Sequence, residues 1–438
     1  MKTINKKIIV TFIAGAMLLS AATAVSAASM NSYSVRSFSG AGTLTQAGGM
    51  TSGYAAKTGA LSYSDLTGGI VTSEDLFSKR DLKQTADLEE ASHITVKDGQ
   101  TIRITSEGVY VLTGTASNCT VKIEADKEAK IQLVLDGVTI TNKDFPAIYV
   151  ISADKVFVTT TAGSKNTLSV TGAFRADGTT NTDAVIFSKE DLVLNGKGTL
   201  TVTSAKGNGI TSKDDLKITG GTLNVTAQLD ALEANDSIAI YDGNITVSAK
   251  KDGLHAENDD DDSLGYVWIG GGTLNVTASD DAIHGTSFVQ VDGGTINVSG
   301  AEGIEGTYIQ INDGTVTITA TDDGINGANK SAAYETAVEI AGGTLNVTVG
   351  QGDTDAIDSN GNLYVTGGTV SITAQMSSFD YDGTATYTGG TIVVNGQTVN
   401  SITGSMMGSG MGGMQTGGFG GGAMGSFGGM SVGRGGRR

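Results

Sequence analysis

An acidic residue, then Gly or Ala, then Ile or Leu recurs six times: Asp230-Ala231-Leu232, Asp252-Gly253-Leu254, Asp281-Ala282-Ile283, Glu302-Gly303-Ile304, Asp323-Gly324-Ile325 and Asp355-Ala356-Ile357. Three residues after each acid stand Glu233, His255, His284, Glu305, Asn326 and Asp358. Carboxylates, imidazoles and amides are metal-ligating groups, and two parallel rows of them make a metal-capable edge if the copies stack. Neighbouring carboxylates ~5 Å apart repel by about 0.8 kcal/mol in water and by about 3 kcal/mol at an effective dielectric of 20. Such a row needs raised pKa values or bound cations. Oxygen ligands on irregular turns suit Ca²⁺, which tolerates uneven coordination, better than Mg²⁺. The spacing predicts Ca²⁺ between copies; the alternative is a solvated acidic edge.

The stretch Lys251-Asp252-Gly253-Leu254-His255-Ala256-Glu257-Asn258-Asp259-Asp260-Asp261-Asp262 places six carboxylates in twelve residues. It reads as an insertion at the same edge. Glu257 and Asp259 there either complete a cation site or stay in water. It is no EF-hand, because neither a Gly nor a distal Glu falls in register and no helical pattern flanks it.

A second row precedes each Gly-Thr turn: Lys217, Ala239, Trp268, Gln290, Gln310, Glu339 and Tyr364. Their apolar neighbours point inward, so this row points out. An outward Trp268, the only tryptophan, beside amide side chains suggests pyranose stacking, with Gln290, Gln310, Glu339 and Tyr364 as further sugar contacts. The alternative is that the 255–265 loop covers Trp268. A third outward set, Thr222/Asn224/Thr226 and Thr273/Asn275/Thr277, reads first as a sheet-stabilising ladder and second as a plane for a crystalline polymer. Asp280-Asp281-Ala282-Ile283-His284-Gly285 hints at glycoside hydrolysis by paired carboxylates. The same layout recurs in copies without His, however, and no Lys or Arg row stands ready as a lyase base. A non-catalytic protein is expected.

Internal repeats must position these rows. Gly220-Gly221-Thr222-Leu223-Asn224-Val225-Thr226-Ala227 recurs in full at Gly271 to Ala278, and looser copies follow around Thr295, Thr315, Thr344, Thr369 and Thr391. Successive copies from Thr199 lie 20 to 29 residues apart. Inside each, β-branched or apolar residues alternate with polar ones, and Gly, Asn or Asp marks the turns. Period-two strands in copies this short predict an all-β, right-handed parallel β-helix; a propeller blade would need about 40 residues. With rungs about 4.8 Å apart, the visible copies would stack to roughly 40 Å.

Four segments are expected along the chain. Residues 1–27 carry Lys2, Lys6 and Lys7, an apolar run and the small-x-small pattern of a secretory signal. Residues 28–75 are Ser/Gly/Ala/Thr-rich and expected to be flexible. Residues 76–400 form the β-helix, and the Gly/Met-rich residues 401–438 are expected to be disordered. Residues 28–400 hold 22 basic and 46 acidic side chains, which argues against nucleic acid and anionic membranes as partners. The lone Cys119 forms no internal disulfide and reads as a small core side chain.

The chain resembles a bacterial family of secreted carbohydrate-binding β-helix domains. Ser78 to Thr85, Gln132 to Ile140, Ala147 to Val150 and Ser212 to Gly221 carry the likeness, which extends over roughly residues 76–400. The resemblance implies a pectate-lyase-like helix without established catalysis, bound Ca²⁺, and cellulose or polygalacturonate as ligand. The expected protein is a secreted polysaccharide binder, extracellular or held at the cell surface. Its rivals are a Ca²⁺-dependent lyase or hydrolase of pectin-like polymers and a structural surface or matrix adhesin.

Overall fold

The computed structural model describes residues 60–404 apart from 353. The expected signal segment, most of the 28–75 segment and the tail beyond residue 404 lie outside the described residues. Among the described residues the fold is all-β: 34 strands belong to one mostly parallel sheet, with two four-residue helices at Tyr63–Leu66 and Ser73–Leu76.

Strands pair in parallel with their equivalents one repeat away, so three stacks run through the molecule. Thr222–Ala227 pairs with Asn244–Ala249, which pairs with Thr273–Thr277. Asp215–Ile218 pairs with Ser237–Ile240, then Tyr266–Ile269. Leu232–Ala234 pairs with Leu254–Ala256, then with the start of Ile283–Val291. Among the described strands only the closing hairpin, Thr391–Val394 with Gln397–Val399, is antiparallel.

The period-two pattern explains the core. In Thr222–Ala227 the side chains of Leu223, Val225 and Ala227 are buried and the intervening ones are not. Stacked in register, Leu223, Ile245, Leu274 and Ile296 fill one layer of a continuous apolar core that includes Cys119. The Gly before each Thr makes the turn. Gly272 has φ +79, and a Cβ there would meet the Gly243 carbonyl oxygen at 2.6 Å, so both backbone conformation and close stacking demand glycine.

The stack that holds Asp215–Ile218, Ser237–Ile240 and Tyr266–Ile269 is buried on both faces. A second layer therefore covers its outward side. That layer is chain from residues 61–84, and it corrects the expectation of flexibility to residue 75: from residue 60 onward this segment is part of the fold. Leu61 bridges Tyr334, Tyr63 N–H donates to Glu335, Ile70 N–H donates to Gln290 and Gln84 bonds Thr219. The strap thus crosses successively earlier repeats as its own sequence advances. Leu61, Leu66, Ile70, Leu76 and Phe77 supply its buried face.

Candidate functional site

The acidic edge is in register as the spacing predicts. Leu232 stands opposite Leu254, Leu254 opposite Ile283, Ile283 opposite Ile304, Ile304 opposite Ile325 and Ile325 opposite Ile357. The second row follows: Glu233, His255, His284, Glu305, Asn326, Asp358 and Asp380 are successive neighbours.

Backbone donors hold part of this edge. The Asp230 N–H donates to Asn208 Oδ1 (3.1 Å), Asp252 N–H to Asp230 Oδ1 (3.0 Å), Asp281 N–H to Asp252 Oδ1 (3.2 Å) and Asp355 N–H to Asp323 Oδ1 (2.7 Å). Asn208, Asp230, Asp252 and Asp323 are thus each bonded by the next copy's main chain, which ties repeats together, and for Asp230 this bond helps hold the pKa down.

Internal cations hold the 230–305 half. Lys251 Nζ lies 3.1 Å from Asp230 Oδ2 and 3.4 Å from Asp252 Oδ2. His255 Nδ1 is 2.9 Å from Asp252 Oδ2, and its Nε2 is 3.1 Å from Glu257 Oε2. His284 Nδ1 sits 2.8 Å from Glu305 Oε2 and 3.1 Å from Asp281 Oδ2, and Lys330 Nζ lies 2.6 Å from Glu305 Oε2. Burial alone would lower the His255 pKa, but hydrogen bonds and charges from Asp230 and Asp252 hold it up at about 10. Burial would raise Glu305, but His284 and Lys330 bring it down to about 2. Burial raises Asp281 to about 6. Glu233 accepts from Thr211 Oγ1 and Lys213 Nζ.

From Glu302 onward the rows change character: the ladder positions Asp323, Asn326, Asp355, Asp358 and Asp380 carry oxygen donors and no His, Lys or Arg. Burial pushes Glu302 up to about 8, with Glu305 and Asp281 adding to it. Burial pushes Asp358 to about 7, with Asp323, Asp355 and Asp380 adding. Asn326 Nδ2 donates to both Glu302 carboxylate oxygens. Its buried Oδ1 accepts no hydrogen bond among the described residues.

Asp230, Asp252 and His255 form one group whose ligand atoms lie within 4.8 Å of one another, and Asp281, His284 and Glu305 form another. Both contain imidazole nitrogen, with Lys251 between Asp230 and Asp252 and Lys330 on Glu305, a poor match to a calcium-type oxygen cage; a third group, Asp252, Asp280 and Asp281, is all carboxylate. The 302–358 half supplies oxygen donors alone, spread more widely than the 4.8 Å of those groups. The Asp259–Asp262 run is exposed, with Asn258 Oδ1 accepting from the Asp260 and Asp261 N–H groups. Asp259 and Glu257 stand in solvent rather than in either triad.

The row expected to meet sugars points outward but is covered. Trp268 is 2% exposed, against the expectation that it faces solvent. Its cover comes mainly from the strap rather than the 255–265 loop: Phe77 packs against it at 5.6 Å, and its Nε1–H donates to Asp292 Oδ2. Gln290 accepts from Ile70 and Val71 N–H and donates to the Val71 carbonyl. Gln310 donates to the Leu66 carbonyl and to Glu339, which also accepts from Tyr308. Tyr364 stacks on Tyr63 with ring centroids 4.1 Å apart. These side chains form the rail to which the strap is bonded. The sequence signal for that strap was present but local: Ser62-x-x-Asp65 and Thr72-x-x-Asp75 are capping boxes, each with an apolar residue at its helix end.

Beside the middle of the strap a cleft of about 700 Å³ opens, lined by Val71, Glu74, Tyr241, Asp242, Asp292 and Asn312 among others. Tyr241 presents its ring there at 40% exposure, braced edge-on by Phe77. Neither Tyr241 nor the cleft stands out in the sequence; Tyr241 is adjacent to the turn Asp242-Gly243.

A family model described as "Carbohydrate-binding domain-containing protein" matches residues 98–308 and 299–408, and the chain belongs to that family. The strap precedes the matched range. A curated carbohydrate-binding domain-containing protein from Acetivibrio thermocellus is 37% identical over 128 residues, 29% of this chain and 45% of that protein. The chain therefore spans about half the length of that relative. Among solved structures, a polysaccharide lyase-like protein from C. thermocellum, in its gadolinium derivative, is 30% identical with a TM-score of 0.44 over 60% of this chain and 98% of that one.

Proposed function

We propose that this chain is a secreted, non-catalytic polysaccharide-binding protein of the cellulose or pectin class, built on a right-handed parallel β-helix with Ca²⁺ along its acidic edge. Family membership across residues 98–408 supports carbohydrate as the ligand class. The observation that carries the reading to a place is the cleft, where the exposed Tyr241 ring lies beside Asp242, Asp292 and Asn312. An aromatic plate flanked by carboxylate and amide oxygens that accept hydrogen bonds suits the hydroxyls of a sugar ring. Ca²⁺ belongs to the oxygen-rich half, with Asp323, Asn326, Asp355 and Asp358 as the ligands it would use; the buried, unbonded Asn326 Oδ1 supports that choice. Because the body is acidic, polygalacturonate would be held through Ca²⁺ bridges between carboxylates.

Affinity electrophoresis through gels containing soluble glucan or calcium pectate tests the cleft. Tyr241→Ala is expected to weaken retardation about tenfold, the equivalent of about 1.4 kcal/mol, while Tyr241→Phe keeps it. Equal retardation of the unsubstituted chain and Tyr241→Ala would remove the cleft from the binding surface.

A further inference from the structure

The third stack differs from the other two faces. It is neither acidic like the 230–358 edge nor covered like the strap rail. Eight successive strands, from Thr199–Ser204 to Thr369–Thr373, stand in unbroken parallel register. Each offers three outward positions, exemplified by Thr222, Asn224 and Thr226. Every such position in all eight strands is Thr, Ser or Asn, and none is buried. The chain as a whole carries a formal charge of −18, yet this face carries none. Its inward partners Leu223, Val225 and Leu274 belong to the core, so the plane is rigidly backed.

If these side chains served mainly to knit the sheet, neighbouring hydroxyls and amides would bond across strands. Among the described residues they do so once, from Asn297 Nδ2 to Asn275 Oδ1. The remaining donors and acceptors are directed at solvent, at intervals of about 4.8 Å across strands and about 6.7 Å along them. A periodic, uncharged plane with both donors and acceptors matches a solid whose surface is itself a lattice of neutral hydroxyls. A polyuronate would find no cation here.

We propose that the Thr/Ser/Asn face lies flat against the surface of a solid, uncharged polysaccharide. This rests on the carbohydrate-binding reading but not on the Tyr241 cleft. Neutrality of the face, in a body otherwise crowded with carboxylates, is what selects the neutral polymer over the charged one.

The test is depletion of the full chain by microcrystalline cellulose, beside gel retardation on calcium pectate. Thr226→Lys/Thr277→Lys/Thr319→Lys places ammonium groups along one exposed row. Thr226→Val/Thr277→Val/Thr319→Val removes hydroxyls at nearly constant shape and guards against misfolding. The lysine variant is expected to lose at least tenfold in cellulose retention and the valine variant severalfold, with unchanged unfolding midpoints and pectate retardation. Retention of all three proteins alike would overturn the proposal while leaving carbohydrate binding intact. Failure of the unsubstituted chain to bind any polysaccharide would overturn both. Shaping of growing ice crystals by the unsubstituted chain without cellulose retention would assign the face to a water lattice instead.

Discussion

Replacing Lys217 with Met destabilises the protein by about 3–5 kcal/mol, read as a lower denaturant midpoint with an unchanged slope. Lys217 is 3% exposed, and its Nζ lies 2.9 Å from Asp215 Oδ2. Burial would lower its pKa, but Asp215 and Asp191 outweigh that and hold it raised, so it is charged at every ordinary pH. Asp215 also accepts from Ser237 Oγ, and Lys217 and this hydroxyl together hold it ionised against burial. Asp191, raised to about 6 by burial and then by Asp215, is the next carboxylate in the group. Methionine keeps the packing and removes the only cation in contact with Asp215 among the described residues, leaving a buried charge unpaired. Adding Asp215→Asn to Lys217→Met should recover most of the loss. A cost under 1 kcal/mol for the single change would show that the pair is open to solvent.

In chelator, stability falls as pH rises from 5 to 8. Glu302 and Asp358, raised in the fold to about 8 and about 7, bind protons more tightly folded than unfolded. The stability they contribute is present while they are protonated and is lost from the unfolded carboxylate range, near 4, up through those values. His255 acts with the same sign higher up: its raised value of about 10 gives stability that is complete below the ordinary imidazole pKa and is lost toward pH 10. Glu305 opposes them only in acid, because its lowered value gives stability above about 4.5 that disappears toward pH 2. The two raised carboxyls are half-buried, so solvent screening reduces their joint effect to on the order of 2–4 kcal/mol across this window. Ca²⁺ at a hundredfold excess over its Kd adds about 2.7 kcal/mol and flattens the profile. A melting temperature independent of pH and of chelator would mean that the 302–358 carboxylates relax apart.

The stacking register was legible because Gly-Thr turns and alternating apolar residues set it one copy at a time. Asp230, Asp252 and Asp281 fall where that register places them. Their neutralisation was only half legible. His255 and His284 were recognisable as ladder members, but their role as cations depends on Asp252 and Glu305 approaching within 3 Å, which spacing does not reveal. Trp268 illustrates a different limit. Period two fixes which side of a strand a residue leaves from, and Trp268 does point outward. Whether that side is wet depends on a second layer nearly two hundred residues earlier, whose Leu66, Ile70 and Phe77 are scattered in a Ser/Gly/Thr-rich context. The Thr/Ser/Asn face was visible as a pattern, and its lack of internal hydrogen bonds became apparent only in three dimensions.

Retention on polysaccharide is the most direct measurement. The full chain, incubated with insoluble cellulose and with calcium pectate and then sedimented, should leave solution with at least one of them, and EDTA should release it from pectate. Recovery of all the protein in the supernatant from both polymers, with and without Ca²⁺, would contradict a carbohydrate-binding role for this chain.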